Sequence, residues 1–447
     1  MKKAILILSI LIIGLFLIGC TTPQPQITPK PPIVTGLLSF KSLDDSQSTL
    51  EGVNNLVLAN NKFAIDYYNK LDSNPKHLGK NIFFSPFSIS TALAMTYEGA
   101  NGQTAKEIRD VFYFPQNDIL RQSSFAKIYN TLNENASKGN YNLSIANSLW
   151  NEKTYEFKPS FYDTINNYYY GTSTPVDFKN SPEEQRQLIN NWVLDQTNQK
   201  IEELLPKDSI DIDTRLVLTN AIYFKGTWLN EFKKENTILS KFFSSKENTI
   251  NTLMMNQTNE FNYYNDSNFQ YLELPYKGED ISMIVILPKS IYFECLNETQ
   301  SQNCGEQIQY NFIIPIAEQL SNLNNKLNKT KVNVSLPKFK FTTDYKMSDD
   351  LKEMGILQAF TDFADFFKMD SRKEVKISEV YHKAFVEVNE EGTEAAAATG
   401  VVMIKTTSVQ PTEIIEFNAN HPFAFIIKDN INEEILFIGK IIDPAKE

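Results

Sequence analysis

The apolar positions of the chain repeat with a helical period in some segments and with a strand-like period in others. Helical spacing runs from about Ser46 to Tyr68 and recurs over residues 159–170 and 183–198, which predicts three helices. Runs rich in β-branched and aromatic residues predict strands, and they cover residues 141–150, 216–228, 271–276, 282–288 and 332–339. Because helices and strands are mixed without strict alternation, the pattern predicts an α+β fold.

Two further helix starts are indicated by their capping residues. Ser85 is a favourable N-cap, and Pro86 suits the first helical position. The residues from there to Met95 are almost all apolar or small, so we expect this helix to be central and buried. Thr104 and Glu107 have the spacing of a capping box for the next helix.

The most unusual stretch is residues 390–406, in which four consecutive alanines lie between Gly392 and Gly400. When the stretch is read with period two, one face carries only small or apolar side chains. These are Thr393, Ala395, Ala397, Thr399, Val401 and Met403. This face could enter a sheet as a new strand without burying a charge. Taken alone, the same residues are also compatible with an ordinary alanine-rich surface helix or loop.

The flanking segments narrow this interpretation. An ordered series of blocks covers residues 81–95, 146–150, 216–228, 379–396, 417–427 and 437–444. The series resembles the serpin family over roughly residues 45–445. The resemblance implies a large, mainly antiparallel central sheet, further sheets and about eight to nine helices in an α+β domain. It also implies an exposed reactive-centre loop at about residues 390–416.

The resemblance further implies irreversible inhibition of serine proteases. A protease would attack the loop and form a covalent acyl-enzyme, and the cleaved loop would then insert into the central sheet. The implied hinge of this movement comprises Glu391, Gly392, Thr393, Glu394, Ala395, Ala396, Ala397, Ala398 and Thr399. Counting from Gly392, the scissile bond joins Thr406 to Thr407, or Lys405 to Thr406 in a loop one residue shorter. Thr406 favours elastase-like or subtilisin-like proteases, whereas Lys405 favours trypsin-like ones.

By the same resemblance, several separated residues control the opening of the sheet. A polar cluster that holds the sheet closed would comprise Ser85, Ser88, Asn220 and His382, and Trp228 would lie near the point where the loop enters. We interpret His382 as a buried structural latch and not as an acid–base catalyst.

Charge and residue types limit other functions. The 447 residues carry a formal net charge of −11 without a Lys/Arg cluster, which argues against nucleic acid as a partner. No G-x-S-x-G or H-E-x-x-H motif is present, and the histidines at 77, 382 and 421 show no ligand spacing. We therefore expect no metal, no other cofactor and no enzymatic activity, which disfavours a secreted hydrolase. A monomer that reacts covalently with a target serine protease is expected, and a noninhibitory serpin acting as a binding or folding factor is the alternative.

The amino terminus resembles a bacterial lipoprotein signal. Lys2 and Lys3 precede an apolar run that ends at Cys20, the residue that would be lipidated. The sequence thus predicts a signal peptide at 1–19, a Pro-rich tether at 20–44 and a serpin domain at 45–447. An uncleaved membrane anchor is the alternative. Either reading places the domain outside the cell, at the surface and held to the membrane.

Two internal cysteines leave one question open. Cys295 and Cys304 lie in a polar segment, and an exported chain permits a disulfide between them. The sequence does not decide whether they are bonded.

Overall fold

The computed structural model describes residues 42–245, 248–289, 320, 322–372, 374–393 and 414–446. The signal peptide with Cys20, most of the tether, Cys295 and Cys304, the hinge from Glu394 onward and both candidate scissile bonds therefore lie outside the described residues.

Seven α-helices lie in the part of the chain that the structure describes. They are α1 Leu50–Ser73, α2 Pro86–Gly99, α3 Gly102–Phe112, α4 Asp118–Ser137, α5 Pro159–Tyr168, α6 Pro182–Gln196 and α7 Ser348–Met354, with short 3-10 helices at Lys234–Asn236 and Gln358–Phe360. Every residue of α2 except Glu98 is buried, which confirms the prediction of a central helix. Its N-cap is Ser85, whose Oγ accepts a hydrogen bond from the Ser88 N–H at 3.2 Å.

The predicted capping box at Thr104 and Glu107 is wrong. Helix α3 begins at Gly102, and its N-cap residue Asn101 makes no side-chain capping hydrogen bond. Thr104 accepts the backbone N–H of Asp365 instead, and the Glu107 carboxylate accepts the N–H groups of residues 357 and 358. Both side chains therefore satisfy backbone donors that are distant in sequence, which a local spacing rule does not detect.

The strands form two sheets, numbered here in chain order across both. The nine-stranded sheet contains β1 Ile82–Phe84, β5 Ile238–Phe243, β6 Thr249–Asn265, β7 Phe269–Pro275, β8 Ile281–Pro288, β9 Asn328–Pro337, β13 Ile415–Asn418, β14 Phe423–Asp429 and β15 Ile435–Ile441. Its order is β1-β15-β14-β8-β7-β6-β9-β13, with β5 paired to β6. The central sheet contains β2 Tyr141–Glu152, β3 Thr172–Val176, β4 Leu216–Thr227, β10 Phe339–Lys346, β11 Glu379–Asn389 and β12 Gly392–Thr393, in the order β10-β11-β12-β4-β2-β3.

The central sheet has a buried face on each side. Its inner face packs on the main core, which includes Ile222 and Phe224 of β4. Its outer face carries Val217 and Ala221 of β4, which join a second apolar cluster under α6. This alternation is the period-two pattern of a strand covered on both sides.

Candidate functional site

A partly opened slot separates β4 from β11 in the central sheet. The two strands pair in parallel from Val217 opposite Glu379 to Ile222 opposite Ala384. Beyond this point the pairing stops, and β12 lies between the strands, antiparallel to both. No described strand lies between residues 223–225 of β4 and residues 385–387 of β11. The first residues of the implied hinge thus already occupy the mouth of the slot.

Gly392 fits this position because it lacks a Cβ. It pairs with Thr227 on β4 and with Asn389 on β11. Its φ is +155°, and a Cβ placed there would lie 1.9 Å from the carbonyl oxygen of Gly226. Since no side chain tolerates that approach, only glycine allows the backbone to enter between the two strands at this point.

Thr393, the next residue, makes the first side-chain contact inside the slot. It is 2% exposed, and its Oγ1 lies 2.6 Å from the Tyr276 hydroxyl. The Tyr276 ring stacks on Trp228 with a centroid distance of 4.5 Å. Trp228 in turn donates from Nε1 to the Asn389 carbonyl at 3.0 Å. The structure therefore places Trp228 at the mouth of the slot, beside the hinge.

Two ion pairs hold the turn that leads into β12. Glu390 is 5% exposed and accepts hydrogen bonds from Lys338 at 2.7 Å and from Thr237 at 2.9 Å. Burial alone would raise the pKa of Glu390, but these two donors hold it below its ordinary value. The next residue, Glu391, pairs with Lys234 at 2.8 Å. The Lys338–Glu390 pair is the less exposed of the two, so its loss is expected to cost more than loss of the Lys234–Glu391 pair.

A polar cluster bridges β4 and β11 farther down the slot. Asn220 and His382 are direct partners in the parallel ladder. The Asn220 Nδ2 donates to Ser88 Oγ and to Asn147 Oδ1, at 2.6 Å each. His382 Nε2 accepts the Ser85 N–H at 3.1 Å, so its Nδ1 carries the proton and donates to Asn220 Oδ1. The structure thus brings Ser85, Ser88, Asn220 and His382 into one network.

This network requires a neutral histidine. His382 is fully buried, and burial lowers its pKa to about 3. A proton on Nε2 would also meet the Ser85 N–H donor. The ring therefore ties β11 to β4 and to the start of α2, and nothing in its contacts resembles an acid–base dyad.

Three contributors to the site were not identified from the sequence. Asn147, the second amide in the polar cluster beside Asn220, lies within a predicted strand, where a buried amide is the only signal. Tyr276 contacts Thr393 of the hinge, and Lys338 contacts Glu390 directly before it, both across long sequence separations. Within the described residues, no group of three or more His, Cys, Asp or Glu side chains could hold a metal ion. In the same part of the chain, no helix has the length and hydropathy needed to cross a membrane.

Comparisons with known proteins agree with this architecture. Residues 58–444 match the family described as Serpin (serine protease inhibitor). An uncharacterized serpin-like protein of Methanosarcina acetivorans is 37% identical, over 100% of this chain and 98% of its own length. Leukocyte elastase inhibitor A of Rattus norvegicus is 39% identical, over 86% of this chain and 98% of its own length.

A solved structure extends the agreement to three dimensions. Arabidopsis AtSerpin1 in its native stressed conformation is 28% identical and superposes with a TM-score of 0.72, over 88% of this chain and 99% of that one. The chain belongs to the serpin family, whose members are mostly protease inhibitors and not catalysts. The expected α+β serpin fold is confirmed.

Proposed function

We propose that this serpin inhibits serine proteases irreversibly, by inserting its cleaved reactive-centre loop between β4 and β11. The observation that carries the proposal is β12. Its two residues lie between those strands, antiparallel to both, as a new central strand would. Cleavage in the loop would free the following residues to extend this strand. The serpin itself contributes no catalytic group, since the protease supplies the nucleophile.

The register of β12 assigns a place to each later residue. Thr393 faces Gly226 on β4 and Val388 on β11. Continuing this register would bring Thr399 between Asn220 and His382. Met403 would come opposite Leu216, where β4 begins. A strand from Gly392 to Met403 would therefore fill the slot along the whole of β4.

The two faces of this strand match their surroundings. On the inner face, the small side chains at alternate positions from Thr393 would meet the apolar core. On the outer face, Ala396 would come between Tyr223 and Phe385. Gly400 would lie between Thr219 and Tyr381, and Tyr381 packs in the cluster that includes Ile189 and Val193 of α6. A larger side chain at either outer position would collide with groups that are already buried.

Insertion would require the polar cluster to open. Six residue pairs join β4 to β11 below the slot, and the Asn220–His382 pair is among them. Neighbouring strands in a sheet lie about 4.8 Å apart. To admit a new strand between them, β4 and β11 must move apart to twice that distance. The hydroxyl of Thr399 would then replace the lost contact between the amide and the ring. We therefore assign the cluster the role of a lock that releases only when a strand is available to replace it.

The energetics favour trapping. Each residue added to the central sheet gains ladder hydrogen bonds of about 1 kcal/mol net each. Thr406 follows Gly392 by 14 residues, so a fully extended loop would hold the acyl-linked protease on the order of 45 Å from Gly392, at ~3.3 Å per residue. A protease distorted by the insertion cannot complete deacylation.

The target class follows from the residue before the scissile bond. We propose Thr406, which suits an elastase-like or subtilisin-like serine protease, with Lys405 and a trypsin-like target as the alternative. The name of the rat relative, leukocyte elastase inhibitor A, supports the first choice. No other protein partner is needed, and we propose a monomer.

Incubation with one protease of each class tests the proposal. A complex that survives a denaturing gel is expected, together with a carboxyl-terminal peptide whose mass begins at Thr407, or at Thr406 if Lys405 is the reactive residue. If the loop is cleaved but none of the proteases forms a stable complex, irreversible inhibition is contradicted. If cleavage then also left the melting temperature unchanged, the noninhibitory alternative, a binding or folding factor, would be favoured.

We further propose that the domain is held at the outer cell surface. Residues 1–19 would act as a lipoprotein signal peptide, Cys20 would carry the lipid, and the Pro-rich segment from 20 to 44 would act as a tether. A radiolabelled fatty acid should label the protein, and Cys20→Ser should abolish labelling. Labelling that persists in this variant would contradict the anchor.

A further inference from the structure

A separate polar feature lies in the nine-stranded sheet, at the hairpin between β14 and β15. Asp429 ends β14 and Glu434 precedes β15, and each residue is only 1% exposed. The Asp429 carboxylate accepts hydrogen bonds from the Ile431 N–H and from the backbone and side chain of Asn432. Among the described residues, neither carboxylate oxygen of Glu434 has a hydrogen-bond partner. One member of this buried acidic pair is therefore unsatisfied.

The described surroundings place no free cation beside Glu434. Lys428, on β14, already donates to Glu433 and to Asn324 at 2.9 Å each. The other described groups that face the hairpin from packed elements carry no positive charge: Glu279 and Asp280 from the turn before β8, Ser282 from β8, Tyr141 from β2, and Asn60 and Asn61 from α1. The pair therefore has no described counter-charge.

A buried carboxylate in these surroundings strongly favours its neutral form. Removal from water penalises the ionised state, and a second acid nearby penalises it further. Burial first, and then Asp429, raise the pKa of Glu434 well above its ordinary value. Burial also raises the pKa of Asp429, against the donors that cap it. The two groups titrate as a pair, which holds a proton more readily than an exposed acid.

We propose that Asp429 and Glu434 form a proton-binding pair that stabilises the native fold in acidic surroundings. In the unfolded chain a glutamate titrates near about 4.3. The stabilisation is therefore complete below that pH, and it is lost as the pH rises toward the higher value of the folded protein. This property is independent of the reactive loop and of any target protease.

Replacement of Glu434 by neutral residues tests the pair. We would measure the apparent melting temperature at one scan rate from pH 5 to pH 9 for the wild type, Glu434→Gln and Glu434→Met. All titratable groups other than Glu434 are shared, so the variant-minus-wild-type difference reports the ionisation of Glu434 together with its coupling to Asp429. The melting temperature of each Glu434 variant minus that of the wild type should be more positive at pH 8 than at pH 5, by roughly 2–4 °C. Glu433→Gln is the matched control, and its difference should not grow with pH, because Glu433 is half-exposed and paired with Lys428.

A direct spectroscopic readout accompanies the melting curves. The infrared carbonyl band of a protonated carboxylic acid should be present in the native wild type at pH 7 and weaker in Glu434→Gln. If neither variant folds, the infrared titration of the wild type alone decides, since a buried acid should keep its band well above pH 5. Absence of that band at pH 7, or a temperature difference that stays constant with pH, would overturn the proposal. So would a wild-type melting temperature that rises at pH 8 on addition of sodium, magnesium or calcium chloride while that of Glu434→Met does not, which would identify a bound cation.

Discussion

The hydroxyl of Thr393 lies 2.6 Å from that of Tyr276, although 117 residues separate them in the chain. Both residues are buried, and Tyr276 also stacks on Trp228. Thr393 is the second residue of β12, so this contact fixes the depth to which the hinge enters the slot. The native protein therefore already contains the first residue pairs of the strand that the proposed inhibition would complete.

Loss of this hydroxyl pair should weaken the seating of the hinge. Tyr276→Phe keeps the ring stack but leaves the buried Thr393 hydroxyl unpaired, at a cost of about 1–3 kcal/mol. The hinge would then spend more time outside the slot, so insertion would start later. More of the acyl-enzyme would be hydrolysed before insertion could trap the protease. We expect the number of inhibitor molecules consumed per trapped protease to rise. Tyr263→Phe, which removes a hydroxyl bonded to Gln270 in the other sheet, should leave that number unchanged, and an equal rise in both variants would argue against the contact.

Gly392→Ala should prevent β12 from occupying its observed position. The added Cβ would meet the Gly226 carbonyl at 1.9 Å, so the strand must leave the slot or separate β4 from β11. We expect the gain in melting temperature that follows loop cleavage to shrink. Gly139→Ala is the control for backbone strain, since its φ is +81° and a Cβ there meets no atom within 4 Å. It should lower the native and cleaved melting temperatures equally, and a normal gain for Gly392→Ala would contradict the observed seating.

A charge swap tests the register of the inserted strand. The register of β12 would place Glu394 opposite Lys225 on β4, on the outer face of the sheet. Lys225→Glu would set two like charges opposite each other, which destabilises a cross-strand pair by up to ~1 kcal/mol. We expect less complex per cleavage event with Lys225→Glu, and recovery when Glu394→Lys is added. If the loss of complex in the double variant equals the sum of the losses in the two single variants, the two residues are not opposite each other.

The lock should weaken in acid. The pKa of His382 falls to about 3 in the folded protein, against an ordinary value of about 6.5. Its contribution to stability is therefore present above about pH 6.5 and is lost as the pH falls toward 3. After correction for the slower intrinsic exchange in acid, the amides of residues 217–222 should have lower protection factors at pH 4.5 than at pH 7.5.

Variants of the buried His382 and the part-buried His421 separate the lock from general acid destabilisation. In His382→Gln the protection factors of these amides should be lower at both pH values, with little further decrease in acid. His421→Gln should keep the acid response of residues 217–222, because its ring contacts Asn420 and Pro288 and not the slot. An unchanged acid response in His382→Gln would show that another group controls the opening.

The sequence predicted most of the architecture, because long apolar periods and the Ser85 cap are local signals. The grouping of Asn220 with His382 came from the family resemblance, since neither residue carries a local signal of a shared network. Tyr276 and Lys338 could not be placed beside the hinge, because their contacts depend on how distant strands meet. The depth of insertion was also unpredictable, since it reflects a balance between hinge seating and the intact β4–β11 ladder. Glu107 shows the same limit, because a tertiary contact replaced the local cap.

A crystal structure of the protein after cleavage within the loop would test the central claim most directly. We predict a complete strand from Gly392 to Met403 between β4 and β11. Thr399 should lie between Asn220 and His382, and Met403 should lie opposite Leu216. The six parallel pairs that now join β4 to β11 would be replaced by two antiparallel ladders. A cleaved protein in which the Asn220–His382 hydrogen bond and that parallel ladder remain intact would contradict it.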